Sequence, residues 1–229
     1  MPPKRHDAKT PDLEYAMASC NHGVMKVVAF LSQKGGAGKT TLAVHTAVAA
    51  YETGLGVVLI DTDPQKSATV WGEARQDPGP VVATADVSDL RRVLDAARSD
   101  GMGLAIIDAA PHAAPAAASI ARAADLIAIP CRPTAFDLAA VDGAVRIAKA
   151  AGVKAIFVLS ACPFRAPEIA ETRDALSAFG LPVAPVEITD RRAFARAVAS
   201  GRAVTEFETD GKAAGEIRAL WSWLQEQMA

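Results

Sequence analysis

From residue 25 onward the chain alternates short, nearly continuous apolar runs with longer segments whose apolar positions recur at helical spacing. A run without polar alternation suits a strand buried on both faces, and repeated runs with helices between them predict a parallel sheet covered on both sides. Strands are predicted at 26–31, 57–60, 81–84, 104–107, 126–129 and 153–159, with a short one near 183–186. Helices are predicted at 39–53, 67–75, 88–98, 115–123, 137–150, 167–179 and 191–200. Gly54, Gly152 and Gly180 fall where a left-handed residue ends a helix. The last segment, 213–228, puts Ile217, Leu220, Trp221 and Leu224 on one face, which makes it a closing helix docked on the sheet. Residues 1–24 have no such period and read as a flexible tail before a single domain at 25–229.

Composition narrows the classes. A chain of 229 residues, 51% hydrophobic and 22% charged, can bury one substantial core. Its net charge of -2 gives no global field for nucleic acid or anionic membrane, so any such binding must come from a local patch. Cys20, Cys131 and Cys162 are far apart and form neither a CxxC nor a metal-ligand spacing, and read as reduced thiols of a cytoplasmic protein. No run reaches the length of a membrane span, and the first residues lack the apolar core of a secretory signal.

The chemistry begins after the first strand. Lys34-Gly35-Gly36-Ala37-Gly38-Lys39-Thr40-Thr41 joins that strand to the first helix, and aims backbone N–H groups and a helix N-terminus at one point. Glycines there permit positive φ and close approach to a phosphate. Lys39 is placed to reach the β and γ phosphates of a nucleotide, and the Thr40 hydroxyl to complete a magnesium shell. Against the general pattern GxxxxGK[ST], Gln33 stands where the first glycine belongs. Asp61-Thr62-Asp63-Pro64-Gln65 closes the second strand and Leu104-Ala105-Ile106-Ile107-Asp108 ends a third apolar run on an acid. Carboxylates at strand ends beside a phosphate loop suit a metal and an attacking water.

The form Lys-Gly-Gly-x-Gly-Lys-Thr-Thr, with its additional Lys34, resembles the deviant phosphate loop of the ParA/MinD family of ATPases. The resemblance continues through the Asp-x-Asp-Pro-Gln segment, through Ile129-Pro130, Pro133-Thr134 and Asp137, and through Ile188, Arg191, Phe194, Ala197 and Gly201, over about 200 residues. It implies a three-layer P-loop NTPase fold, with a mostly parallel twisted sheet between helices, and an ATPase using ATP and Mg2+. It implies that residues 35–41 hold the nucleotide, that Thr40, Asp61 and Asp108 serve the metal, and that Lys34, Lys39 and Asp63 are catalytic. Lys34 would cross to the partner's phosphates in an ATP-dependent homodimer. Ala109-Ala110-Pro111 would open the second switch, and His112 is not required as a base.

Within the family the chain resembles the small plasmid-partition type without a helix-turn-helix domain. That type implies non-specific DNA binding in the ATP state, nucleoid association, no membrane, and a cargo-linked activator protein. Arg191, Arg192, Arg196 and Arg202, with one acid between 190 and 202, are the candidate DNA contacts. The adenine contacts stay open between Ser160, Ala161 and Cys162 and the backbone of 185–188. Two other readings stand beside this one: a MinD-like membrane-associated division-site regulator, and a metabolic P-loop ligase. The ending Trp221 to Ala229 carries an acid and no Lys or Arg, which weakens attraction to anionic lipid.

Overall fold

The computed structural model describes residues 24–111 and 114–229. The expected tail, with Cys20, lies outside the described residues except for Val24, and so does His112. Six strands form one parallel sheet: β1 (Lys26–Phe30), β2 (Val57–Asp61), β3 (Val81–Thr84), β4 (Leu104–Asp108), β5 (Leu126–Cys131) and β6 (Lys154–Leu159). Their order is β3-β2-β4-β1-β5-β6. β2, β4 and β5 are buried along their whole length, which explains their continuous apolar runs.

The pleat divides each strand between two cores. Val28 and Phe30 face one core, and Val27, Ala29 and Leu31 face the other. The first core is closed by α1 (Lys39–Tyr51), α2 (Ser67–Glu73), α7 (Arg192–Ala199), α8 (Val204–Phe207) and α9 (Lys212–Met228). The second is closed by α3 (Leu90–Ser99), α4 (Ala114–Ala123), α5 (Ala135–Ala151) and α6 (Glu168–Ser177). Ile217, Leu220, Trp221 and Leu224 of α9 are buried against the sheet, as their spacing predicts. Gly152 caps α5 in the left-handed region at φ 67°.

The short seventh strand is not formed. Val183 and Thr189 make isolated parallel bridges to Phe157 and Cys162 instead. Pro182 and Pro185 have no N–H to donate, so a continuous ladder beside β6 is interrupted even though Ala184 and Ile188 still donate to it. The short α8 is an element the hydrophobic period did not announce.

Crossovers send β2 to one side of β1 and β5 to the other, with β4 between β1 and β2. The carboxyl ends of β1, β2 and β4 therefore meet at one crevice, where open α/β sheets bind ligands.

Candidate active site

Residues 32–38 leave β1 and enter α1 directly. Gly36 (φ 76°) and Gly38 (φ 94°) occupy the left-handed region, which a side chain would strain. Gly38 caps α1 without any side-chain bond, so the first-turn N–H groups are left for an anion. Ser160, at the end of β6, donates its hydroxyl to Ala37 O at 2.8 Å and pins the loop from behind.

Lys39 is 6% exposed, and its Nζ donates to Lys34 O at 3.2 Å across the loop. Burial lowers its pKa, against the opposing pull of Asp108 and Asp63. An ammonium held in a dry cradle beside free backbone N–H groups is a strong anion site.

Asp61 and Asp108 are direct partners across the β2–β4 ladder and both are buried, yet their surroundings differ. Asp61 Oδ1 accepts from Asp63 N at 3.0 Å, and its Oδ2 accepts from Thr69 N at 2.9 Å and Thr69 Oγ1 at 3.0 Å. Thr69 lies in the first turn of α2, so Asp61 caps that helix from a distance. Neither Asp108 oxygen has a partner in hydrogen-bonding geometry among the described residues, although the Thr40 hydroxyl stands near enough to favour the charged form. Burial pushes its carboxyl up to about 7; the Thr40 hydroxyl and Lys39 oppose this, and Asp61 and Asp63 add to it. A buried carboxylate with both oxygens open, beside a threonine hydroxyl, fits a hard divalent cation that the chain itself does not supply.

Asp63 stands half-buried at the mouth of the crevice, its Oδ1 accepting from Gln65 N at 2.9 Å. Thr40 lies at the first turn of α1 and Thr41 lines the neighbouring cavity.

Lys34 does not reach into its own cradle. Its Nζ donates to Asp137 Oδ2 at 2.5 Å, where the Thr134 hydroxyl also donates at 2.6 Å. Thr134 in turn caps α5 by accepting from Asp137 N. The next residue back, Gln33, packs over Gly143 of α5, where a β-carbon would overlap the Gln33 carboxamide. Two consecutive loop residues therefore rest on one helix.

A cavity of about 260 Å³ opens beside the glycines, between Gly38, Arg132, Ser160, Thr189, Arg191 and Phe194. It adjoins the phosphate cradle and has the mixed apolar and polar lining of a base-binding cleft. Ser160 and Ala161 line it; Cys162 is buried behind it, its thiol pushed up to about 12, chiefly by burial. Of the 185–188 segment, Ile188 reaches this cavity.

Arg191 faces this cavity and is paired to Glu216 at 2.6 Å, with Thr189 bridging the two. It is thereby separated from Arg192, Arg196 and Arg202, which are exposed on and just after α7. Arg196 lies over the Phe207 ring, 4.0 Å from Glu208.

Sequence reasoning assigned no role to Gly143 or Thr69, and quoted Asp137 only as part of a motif. Each acts through a contact made by the fold. The threonine at 134 followed by an acid three residues on was a legible capping signal.

The family model described as CobQ/CobB/MinD/ParA nucleotide binding domain matches residues 28–204. The chain is 32% identical over 209 residues to the maintenance of carboxysome distribution protein A of Gloeobacter kilaueensis, covering 89% of this chain and 94% of that one. It is 36% identical over 114 residues to protein ParA of Rhizobium radiobacter, 49% of this chain and 51% of that protein, so it aligns with about half of that relative's length. The solved structure of the septum site-determining protein MinD complexed with Mg-ADP from Pyrococcus horikoshii superposes with a TM-score of 0.72 at 16% identity, covering 90% of this chain and 99% of that one. At that identity the likeness establishes the fold.

Proposed function

The chain belongs to the CobQ/CobB/MinD/ParA nucleotide-binding domain family, and from that premise we propose that it is a positioning ATPase of the partition type. It binds ATP with Mg2+, pairs as a nucleotide-sandwich homodimer, holds nucleoid DNA non-specifically in that state, and lets go when a cargo-linked activator stimulates hydrolysis. The observation that carries the reading is the placement of Lys34. A second lysine of the loop turns away from its own cradle, and its partly exposed side chain is held by the buried Asp137 in the first turn of α5. A charge so placed is available to a neighbouring subunit's phosphates.

The roles of the residues rest on their environments. The glycines and the first turn of α1 bind the phosphates, and Lys39 sets a desolvated positive charge where negative charge accumulates. Asp108 and Thr40 would hold a magnesium ion, which would supply positive charge against the phosphates. Asp61 orients the segment that carries Asp63, and Asp63 positions the attacking water. Arg192, Arg196 and Arg202 supply phosphate contacts without base readout. Arg191, paired to Glu216, belongs to the nucleotide pocket.

One relative supports the class of work: the Gloeobacter kilaueensis protein is named for the maintenance of carboxysome distribution. The apolar face of α9 is occupied by the sheet, which leaves that helix no apolar face for lipid and favours DNA as the matrix. The decisive experiment is a DNA mobility shift with ATP, ADP and no nucleotide, run beside light scattering of the wild type and Lys34→Ala. The reading requires an ATP-dependent dimer that shifts DNA, lost in Lys34→Ala while the monomer still binds ATP. Equal DNA binding in all three states would sink it, and turnover that depends on a small-molecule acceptor would point to a ligase.

A further inference from the structure

On the face opposite α1, α4 and α5 leave a cavity of about 330 Å³ between them, lined by none of the residues from Lys34 to Thr41. Its walls are apolar, from Ala118 of α4 and Ile147 of α5. Arg122 and Arg146 stand at its rim, one on each helix, and Gln33 of the phosphate loop lines it beside Gly143. Arg122 is exposed and bonded only to the Ser119 hydroxyl among the described residues. Arg146 pairs with Asp142 at 2.6 Å, but with 74% and 51% of the two side chains exposed, that pair holds it weakly. Lys149, also exposed on α5, adds a further positive charge.

From this arrangement we infer a docking site for an acidic, amphipathic segment of a partner protein, coupled directly to the phosphate loop through Gln33. The charge selects the partner: two arginines on opposite banks match carboxylates, and the guanidinium fork favours them in pairs. The apolar walls select a peptide over nucleic acid, because a row of phosphates has nothing to place against Ala118 and Ile147. The coupling rests on the contact at Gly143. A side chain entering the cavity meets Gln33, and Gln33 precedes the Lys34 that rests on the same helix. By reciprocity, a segment that moves this contact changes nucleotide affinity by the same factor as nucleotide changes its own. The coupling depends on the nucleotide-binding reading; the docking site does not.

The test uses the full chain without nucleotide and a short fluorescein-labelled helical peptide of Glu, Ala and Leu, with a twin carrying Lys at every Glu. Anisotropy should show binding of the acidic peptide only, weakened at least about tenfold in Arg122→Glu/Arg146→Glu. Equal binding of both peptides, no binding, or no loss in the double variant overturns the site. Displacement of the peptide by duplex DNA whose own binding needs the same arginines assigns the surface to nucleic acid and also overturns it. A second measurement titrates a non-hydrolysable ATP analogue with and without the acidic peptide. A change in affinity that vanishes in the double variant supports the coupling, and an unchanged affinity overturns it. Because the anisotropy arm needs no nucleotide, dimer or hydrolysis, its outcome is independent of the DNA-shift result.

Discussion

The ends of β2 and β4 are adjacent in the sheet, and each closes a buried apolar strand with an aspartate. Asp61 has its two oxygens occupied by three protein donors, and Asp108 has neither occupied among the described residues. The difference arises in the segment that leaves each strand. After β2 the chain turns into α2, and the N–H and hydroxyl of Thr69 come back to Asp61. No described group after β4 does the same for Asp108. One carboxylate is therefore satisfied within the fold and the other is not, although burial, residue type and register are shared.

The sharpest way to break that contrast is to neutralise each acid in turn. Asp108→Asn should cost ATP turnover about 10²–10³-fold, because a neutral amide cannot hold the cation that neutralises the phosphates. The same change should raise the stability of the nucleotide-free protein by about 1–3 kcal/mol at neutral pH, since it removes an acid whose charged form burial disfavours. Steady-state hydrolysis and urea unfolding check the two halves. Loss of both activity and stability would make Asp108 a structural acid like its neighbour.

Asp61→Asn should do the reverse in kind. The amide must turn a donor toward either the Asp63 N–H or the Thr69 pair, and the loss of charge-assisted bonds is worth about 2–3 kcal/mol. For a domain of this size that is a fall of about 5–10 °C in Tm. If the variant melts with the wild type and only turnover drops, Asp61 acts on the metal and not on α2.

These two acids also mark how far the sequence could be read. The apolar runs, the strand-helix alternation and the glycines at 36 and 38 are local signals, and the structure places them as the pattern predicts. The seventh strand was legible as an apolar run, and its two prolines were legible too; the prolines prevail because a missing donor cannot be supplied by hydrophobicity. Asp61 and Asp108 look alike in sequence because their distinction lies in Thr69, whose return depends on where α2 starts. Lys34 and Asp137 are 103 residues apart, and only the neighbouring positions of β1 and β5 bring them together. Splitting Arg191 from the other arginines needed Glu216, which belongs to α9.

Proton linkage separates the open acid from the rest of the core at smaller scale. The Asp108 carboxyl is raised in the native state to about 7, chiefly by burial, so the native chain holds a proton that the unfolded chain has released. Its stabilisation is present below the unfolded value near 4 and is lost as pH rises toward 7. His45 is buried in α1 with Nδ1 accepting from Val204 N, and burial lowers its pKa to about 3. There the unfolded chain holds the extra proton, so stability is full above about pH 6.5 and falls as pH drops. Between about pH 4 and 6.5 the two slopes oppose each other, and nucleotide-free wild type should vary little through these groups. Asp108→Asn should expose the His45 slope, a loss of up to about 1.4 kcal/mol per pH unit on acidification. Denaturant midpoints across that range decide it, and parallel curves for variant and wild type would refute the assignment to Asp108.

An effect confined to the dimer bears on whether an occupied carboxylate can also be a regulated one. Asp137, like Asp61, has an oxygen that accepts two donors, but one of them is the mobile end of Lys34, whose side chain is 35% exposed. If Lys34 must leave Asp137 to reach a partner's phosphates, each of the two pairs in a dimer opposes dimerisation by what it is worth in the single chain, at least about 1 kcal/mol because the Asp137 carboxylate is buried. Asp137→Asn keeps an oxygen for the Thr134 hydroxyl while releasing the lysine. With a non-hydrolysable ATP analogue, light scattering should then find the dimer midpoint at roughly 30-fold lower protein concentration, about fivefold for each of the two pairs released. Without nucleotide the variant should remain a monomer, because the freed lysine has no phosphate to meet. An unchanged midpoint would mean that Lys34 does not leave Asp137 in the dimer, and a raised midpoint would mean that the carboxylate itself is part of the interface.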